Sequence, residues 1–420
     1  MRRKVLIVGS GGRESAVAWK LSEDPTVEIY AAPGNAGMEA YATLVPIKAD
    51  DVRALADFAE KNGIELMASA PDAAVALGIT DEFVKRGILS CAPGKDAAQA
   101  EGSKAWFKRF LARHGIPTAP FEVFTDADAA SAHIREKGAA NIVIKADGLA
   151  AGKGVLLPND EAEAEAALSA MLREGAFGDA GRTVVIEERL SGVERSVIAL
   201  TDGLTAYPFP MTQDYKRIRD DDEGPNTGGM GTHTLDLSSG DEAALLAVLT
   251  DTLAAFRREG MTYRGYIYLG MMLTKRGPAV IECNCRLGDP ETEVIMPSID
   301  ANLFALIEAA AKGALGTVHA PRKAREALSV VLASVGYPGT VTADVPISGI
   351  GEAHAEGALV FHAGTARRNG VFMTNGAGRV LNVVGTGGTL KEAHDRAYTA
   401  LKSVSFDGMQ YRTDIGKSYL

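Results

Sequence analysis

The chain has 420 residues, of which 46% are hydrophobic and 23% charged, with a formal net charge of -10. That length has room for about three domains of ordinary size, and the acidic balance argues against a general nucleic-acid or anionic-membrane binder, whose footprint would be basic. Cys91, Cys283 and Cys285 are too few and too odd in number for a disulfide framework, and no run nears the ~18 apolar residues of a membrane span, so reduced cytoplasm is the expected setting.

The N-terminus, Met1-Arg-Arg-Lys-Val-Leu-Ile-Val, reads as a first strand over Lys4–Val8 rather than a secretory signal, because its apolar run ends at Gly9. Helix patterns over Glu14–Ser22 and Val52–Asn62 alternate with strands at Val27–Ala32 and Leu66–Ala70. That alternation predicts a parallel sheet with right-handed crossovers. Between the first strand and helix lies Gly9-Ser-Gly-Gly-Arg-Glu14. Glycines there let backbone approach a ligand, and a helix N-terminus offers free N–H groups. Glu14 stands where a dinucleotide fingerprint needs its third glycine, and the second strand ends in Ala32-Pro-Gly34 without an acid for an adenosine ribose. A nicotinamide cofactor is disfavoured. A smaller phosphorylated ligand and a turn that binds nothing both stay open.

An amphipathic helix over Ser103–His114 opens a second segment and stops at Gly115-Ile-Pro117. Strands follow at Asn141–Ile144, Thr183–Glu187 and Arg195–Leu200, with a surface helix over Glu161–Arg173. Further strands read at Gly265–Leu273 and Ala279–Glu282, then a helix over Ala301–Ala311. Beyond Gly316 the texture changes to short strands at Leu328–Ser334, Leu359–His362, Gly370–Thr374 and Val380–Val384, separated by glycine turns and closed by a helix over Thr389–Ser403.

Lys145 ends a strand and is followed by a short glycine loop through Gly148, Gly152, Lys153 and Gly154. Such a loop can fold over phosphates with its N–H groups while the lysine supplies a point charge. Gly154 stands where a Walker A motif needs Ser or Thr. The run Ile186-Glu-Glu-Arg-Leu-Ser-Gly-Val-Glu194 puts acids on both sides of a turn, a weak signal alone. Gln213-Asp-Tyr-Lys-Arg217 and Gly224-Pro-Asn-Thr-Gly-Gly-Met-Gly231 flank Asp220-Asp-Asp-Glu223. The glycine-dense loop suits close approach to a small substrate, and the acidic run reads as a solvated loop. In Val280-Ile-Glu-Cys-Asn-Cys-Arg-Leu-Gly-Asp-Pro-Glu291, strand alternation sets Glu282, Asn284 and Arg286 on one face, with Cys283 and Cys285 on the other. A carboxylate and an amide oxygen suit Mg²⁺, and a neighbouring arginine grips a phosphoryl group bidentately. The competing reading is an amphipathic edge strand with solvated charges.

Together with Gly102-Ser-Lys104, these tracts resemble the ATP-grasp ligases. Within that superfamily Lys145–Gly154, Gly224–Gly231, Asn284–Thr292 and Val360–Thr365 resemble the phosphoribosylamine–glycine ligase family, from Val5 to about Ile415. The fold class so implied is α/β and α+β: an N-terminal Rossmann-like (pre-ATP-grasp) domain over 1–101, an ATP-grasp fold of two α+β lobes over 102–316 with a lid lobe at about 116–202, and a small C-terminal mixed α/β domain over 317–420.

The implied reaction joins glycine to 5-phosphoribosylamine through glycyl phosphate, giving glycinamide ribonucleotide, ADP and phosphate in purine biosynthesis. Carried onto this sequence, ATP falls to Lys104, Lys145, Gly152, Lys153, Gly154, Glu187, Glu188, Leu190 and Glu194, and Mg²⁺ (or Mn²⁺) to Glu282 and Asn284. Glycine and its acyl phosphate fall to Asp214, Asn226, Thr227, Gly228, Gly229, Arg286, Gly288 and Asp289, with Arg286, Lys145 and Asp214 catalytic. The phosphoribosylamine falls to Gly11, Gly12, Arg13, Glu14, Asn35, Gly37 and Asp72, in a positive pocket around Arg13. The resemblance implies a cytoplasmic monomer or weak dimer with no nucleic-acid or membrane partner. The alternatives are an ATP-grasp paralogue coupling another acid or amine, and a non-catalytic nucleotide-binding regulator. Four positions depart from the family pattern: Ser15 for histidine, Asp72 for glutamate, Tyr215 for histidine and Leu287 for phenylalanine.

Overall fold

The structure is a computed structural model that describes residues 2–149 and 154–420. The strand Arg3–Gly9 runs through the middle of a five-stranded parallel sheet, between Val27–Pro33 and Leu66–Ser69. Val5, Leu6, Ile7 and Val8 are all fully buried. Cover on both faces is why this strand reads as a continuous apolar run. The helix Gly12–Ser22 follows, and at Gly12 a Cβ would lie 2.3 Å from Glu293 Oε1 and 2.4 Å from Asn382 Nδ2. Three distant stretches of chain therefore meet at the start of this helix.

A separate antiparallel sheet has the order Phe121–Phe124, Val184–Glu188, Ile142–Ala146, Val155–Leu156. The helices Ala127–Lys137 and Glu161–Leu168 give it a core of its own around Ile134, Ile144, Leu168 and Ile186. The helix expected through Arg173 is α-helical only to Leu168 and continues to Arg173 as a wider π turn.

The largest sheet has ten strands. From its edge inward run Gly277–Asn284, Gly265–Thr274, Val193–Thr201, Thr212–Asp214, Gly231–Thr234, Glu326–Ser334, Arg379–Gly387 and Leu359–His362. Neighbours along this path are antiparallel. The sheet thus passes unbroken from the middle of the chain into its C-terminal part. Two short strands, Thr212–Asp214 and Gly231–Thr234, make the crossing. The helix Ser239–Arg258, absent from the sequence reading, presents Leu245, Val248, Leu249, Leu253 and Phe256 to the core. Each such side chain contributes about 1.5–3 kcal/mol by leaving water. Its N-cap is Ser238, whose hydroxyl accepts from the Asp241 N–H at 3.1 Å. Among the described residues no helix is long and apolar enough to cross a membrane.

Candidate active site

A cleft of about 680 Å³ lies where the four-stranded sheet faces the edge of the ten-stranded one. The edge strand ends at Asn284, and the alternation expected from sequence holds by burial through it and the bend that follows: Cys283 and Cys285 are 5% and 1% exposed and belong to the core, while Glu282, Asn284 and Arg286 line the cleft, which Cys283 also borders. Burial alone would raise the Glu282 carboxyl, but Lys216, Lys145, Arg286 and Lys104 together hold it below the ordinary carboxylate range. Arg286 donates Nη2–H to Asn284 Oδ1 at 2.9 Å and Nη1–H to the Leu287 carbonyl at 3.1 Å, and its Nε lies 3.2 Å from Glu101 Oε1.

Opposite stands a chain of buried charges. Glu187 is 4% exposed and its two oxygens pair with Lys145 and Lys108. Lys145 also donates to the Ile281 carbonyl at 3.1 Å, and Lys108 to Thr118 Oγ1 at 2.6 Å. Lys104 begins a helix capped by Ser103 and donates to the Gly148 carbonyl at 2.9 Å. Burial lowers the pKa of the Lys104 amine, although Glu282 opposes the shift. Gly154, Glu188, Leu190 and Glu194 line the same cleft, with Glu194 paired to Lys216. Gly152 and Lys153 lie outside the described residues.

Also lining the cleft, Asp214 is half-buried, and its buried Oδ1 has no hydrogen-bond partner. Burial and Glu291 push its carboxyl well above the usual range against the pull of Lys216. Asn226, Thr227 and Gly228 line the wall beside it. Gly229 has φ +111°, and a Cβ there would fall 2.4 Å from Pro290 Cδ and 2.9 Å from Asp214 Oδ1. Only glycine fits. Arg379 secures this wall from the C-terminal part of the chain, donating to Gly228 O at 2.7 Å and Asp289 O at 3.0 Å and pairing with Asp289 Oδ1 at 3.0 Å. Asp289 lines the cleft, whereas Gly288 packs behind it against Glu291.

The N-terminal residues divide. Asp72 lines the cleft, and a Cβ on Gly11 would approach Asp289 Oδ2 at 3.3 Å. Arg13, expected to provide a free positive charge, is 9% exposed, 2.6 Å from Glu14 Oε1, and donates to the Leu287 carbonyl at 3.1 Å. Its charge is met inside the protein. Glu14 also caps its own helix by accepting the Gly11 N–H at 2.8 Å. Asn35 Nδ2 donates to Ser10 O, Ser15 Oγ and His362 O at 2.8–2.9 Å, and its Oδ1 accepts from Gly37 and Met38. Gly37 has no room for a Cβ beside His362, nor Gly12 beside Glu293. Gly12, Asn35 and Gly37 therefore seat the first domain on the rest of the chain, while Glu14 is held within that domain by Gly11 and Arg13, and none of the four is among the residues lining the cleft. Of the four departures only Asp72 touches the cleft. Ser15 donates to the His362 carbonyl at 2.5 Å, the Tyr215 hydroxyl accepts the Gly416 N–H at 3.0 Å, and Leu287 is 1% exposed in the core.

The acidic run Asp220–Glu223 is exposed at Asp221, Asp222 and Glu223, as expected of a solvated loop, but it is tied to the C-terminal part of the chain. Asp220 accepts the Thr413 N–H at 2.8 Å, and Asp222 Oδ1 lies 2.7 Å from Arg412, which is 1% exposed. The cleft also contains Glu101, Lys108, Lys216, Tyr268 and Glu291, none singled out by the sequence reading. Lys108 follows Lys104 by one helical turn, and Lys216 sits in the Gln213–Arg217 tract, so both carried a local signal. Glu291 closes the Val280–Glu291 tract and carried one too, whereas Glu101 and Arg379 carried none.

Among the described residues no group of three or more His, Cys, Asp or Glu could hold a metal. Glu282 and Asn284 offer two hard oxygens. That set fits an ion such as Mg²⁺, which completes its shell with phosphate oxygens and water.

The chain matches three family models, the phosphoribosylglycinamide synthetase N domain over residues 3–101, its ATP-grasp (A) domain over 102–292 and its C domain over 327–418. It is 48% identical to a phosphoribosylamine–glycine ligase of Pseudomonas putida over 98% of this chain and 97% of that one, and 45% identical to one of Vibrio vulnificus at the same coverage. The crystal structure of a phosphoribosylamine–glycine ligase from Thermotoga maritima superposes with a TM-score of 0.85 at 36% identity, covering 98% and 100% of the two chains. A biotin carboxylase domain from Hydrogenobacter thermophilus shares the fold, at TM-score 0.74 and 15% identity over 98% of this chain and 92% of that one.

Proposed function

The chain belongs to the phosphoribosylglycinamide synthetase family, and from that premise we propose that its cleft joins glycine to 5-phosphoribosylamine using ATP. It is an ATP-grasp ligase that forms a C–N bond. One observation carries the assignment of the site: Lys104, Lys145, Glu282, Asn284 and Arg286 converge on the cleft that also holds Asp214.

ATP lies with its phosphates toward Lys104 and Lys145. Glu282, kept anionic by four surrounding cations, and Asn284 would hold Mg²⁺ (or Mn²⁺). Bound there, the metal would offset phosphate charge as a second anion approaches. Glycine's ammonium meets the unpartnered oxygen of Asp214, whose carboxyl is easily returned to its charged form by a cation. Its carboxylate attacks the γ-phosphorus, the bond to the β,γ-bridging oxygen breaks, and ADP leaves. Arg286 holds the transferring group in a fixed plane. The amine then attacks the acyl carbon, phosphate leaves with the C–O electron pair, and the new amide nitrogen gives up a proton. Asp72 and Gly11, beside Asp289, border the place from which the phosphoribosylamine reaches the acyl phosphate.

The test is ADP release by purified protein with ATP and Mg²⁺, with glycine and freshly generated phosphoribosylamine added singly and together. Release requiring both, with the mass of glycinamide ribonucleotide in the product, is the expected result. Release indifferent to either compound would redirect the site to another acid or amine.

A further inference from the structure

We propose that Glu101 is a positioning residue for Arg286, fixing the guanidinium plane from across the domain seam. The inference rests on the site reading above. Glu101 lies on the short helix Gln99–Gly102, at the seam where the N-domain match ends at residue 101 and the ATP-grasp match begins at 102. Its carboxylate is 8% exposed and has two partners on the far side of that seam. Oε2 accepts the Cys285 backbone N–H at 2.7 Å, and Oε1 lies 3.2 Å from Arg286 Nε.

The other two guanidinium nitrogens are also engaged, by Asn284 Oδ1 and the Leu287 carbonyl. All three nitrogens have protein partners, so the plane is triangulated. Take away Glu101 and two partners remain, both within two residues of Arg286 in sequence. The guanidinium could then turn with its own loop. The Cys285 N–H would lose its acceptor at the point where the edge strand ends, and an unmet buried donor costs about 1–3 kcal/mol. A carboxylate this buried is costly unless paired, so its placement against Arg286 is a specific arrangement rather than an incidental surface contact.

A double-mutant cycle on the full chain tests this. Wild-type protein is first shown to need both substrates, so that failure of the site reading is separated from failure of this inference. Glu101→Gln should lower kcat about 10- to 100-fold while the KM for ATP stays within about 2-fold. In the Arg286→Ala background the same substitution should change kcat little, because the group it acts through is gone. Losses that multiply, an unchanged kcat, or a loss of ATP affinity equal to the loss of turnover would each overturn the role. Glu101→Asp keeps the charge and serves as a second variant if Glu101→Gln does not fold. It is read against Arg286→Ala in the same way.

Discussion

Asp214 is a half-buried residue whose Oδ1 is buried and left unmet, its carboxyl under the opposed influence of the acids Glu291 and Glu194 and the cations Lys216 and Arg379. Its raised pKa means that it takes up a proton as pH falls through a range where an ordinary aspartate stays charged. The charged form is the one that attracts an ammonium. Glycine affinity should therefore weaken as pH is lowered in the wild type, and a KM–pH series should show it. Asp214→Asn should raise the glycine KM about 10- to 100-fold, the order expected when a buried charged partner is removed, and should flatten that acid limb. In the same cleft, Arg286→Ala should cut kcat by about 10²–10³ while nucleotide affinity measured by titration changes only a few-fold. Equal losses would make Arg286 a binding group instead. Asp72→Glu adds a methylene at the one family departure that borders the cleft. It should alter saturation by the amine and leave ATP saturation alone.

The helix Gly12–Ser22 separates two readings of the same glycines. In a ligand-binding turn, an added methyl group would block a substrate. Here it would meet the Glu293 carboxylate and the Asn382 amide. Gly12→Ala should accordingly destabilise the protein by about 1–3 kcal/mol, seen as a lower melting temperature, with the amine KM unchanged. A raised KM at constant melting temperature would restore the ligand reading. The glycine-rich turn illustrates what sequence could and could not convey. The alternation of Glu282, Asn284 and Arg286 against Cys283 and Cys285 was legible because a strand's period of two is local. The strand, turn and helix around Gly9 to Glu14 were legible for the same reason. That Gly12 faces residues 293 and 382 rather than a ligand depends on packing between stretches hundreds of residues apart. The helix Ser239–Arg258 carries a local signal too, in Ser238 and the spacing of Leu245, Val248, Leu249, Leu253 and Phe256.

Across the whole molecule, the change of texture after Gly316 marks a new segment of sequence but no break in the ten-stranded sheet. The strands that make the crossing, Thr212–Asp214 and Gly231–Thr234, are 3 and 4 residues long. Runs that short leave almost no periodic trace. A chain ending before Glu326 would strip Gly231–Thr234 of its outer neighbour and remove Arg379 from the wall beside Asp214. Such a chain should not accumulate as a soluble, ATP-binding species, and expression followed by size-exclusion chromatography checks this. A stable fragment that binds nucleotide would mean that the C-terminal part is an attachment.

The four-stranded sheet stands in contrast, since all its strands fall between Phe121 and Glu188 and it has its own core. The lobe leaves and re-enters the rest of the chain at close quarters. Thr118 Oγ1 donates to the Val280 carbonyl at 2.7 Å, and at Gly192 a Cβ would fall 2.3 Å from the Leu273 carbonyl oxygen. For inheritance, this means that recombination near codons 118 and 192 would exchange a whole folding unit together with half of the cleft. Crossovers between 234 and 326 would join halves of one sheet that had never been selected together. Chimaeras of this gene should survive at the first pair of joints and fail at the second, so the nucleotide-facing lobe is free to be reshuffled while the ten-stranded sheet descends as a single heritable block.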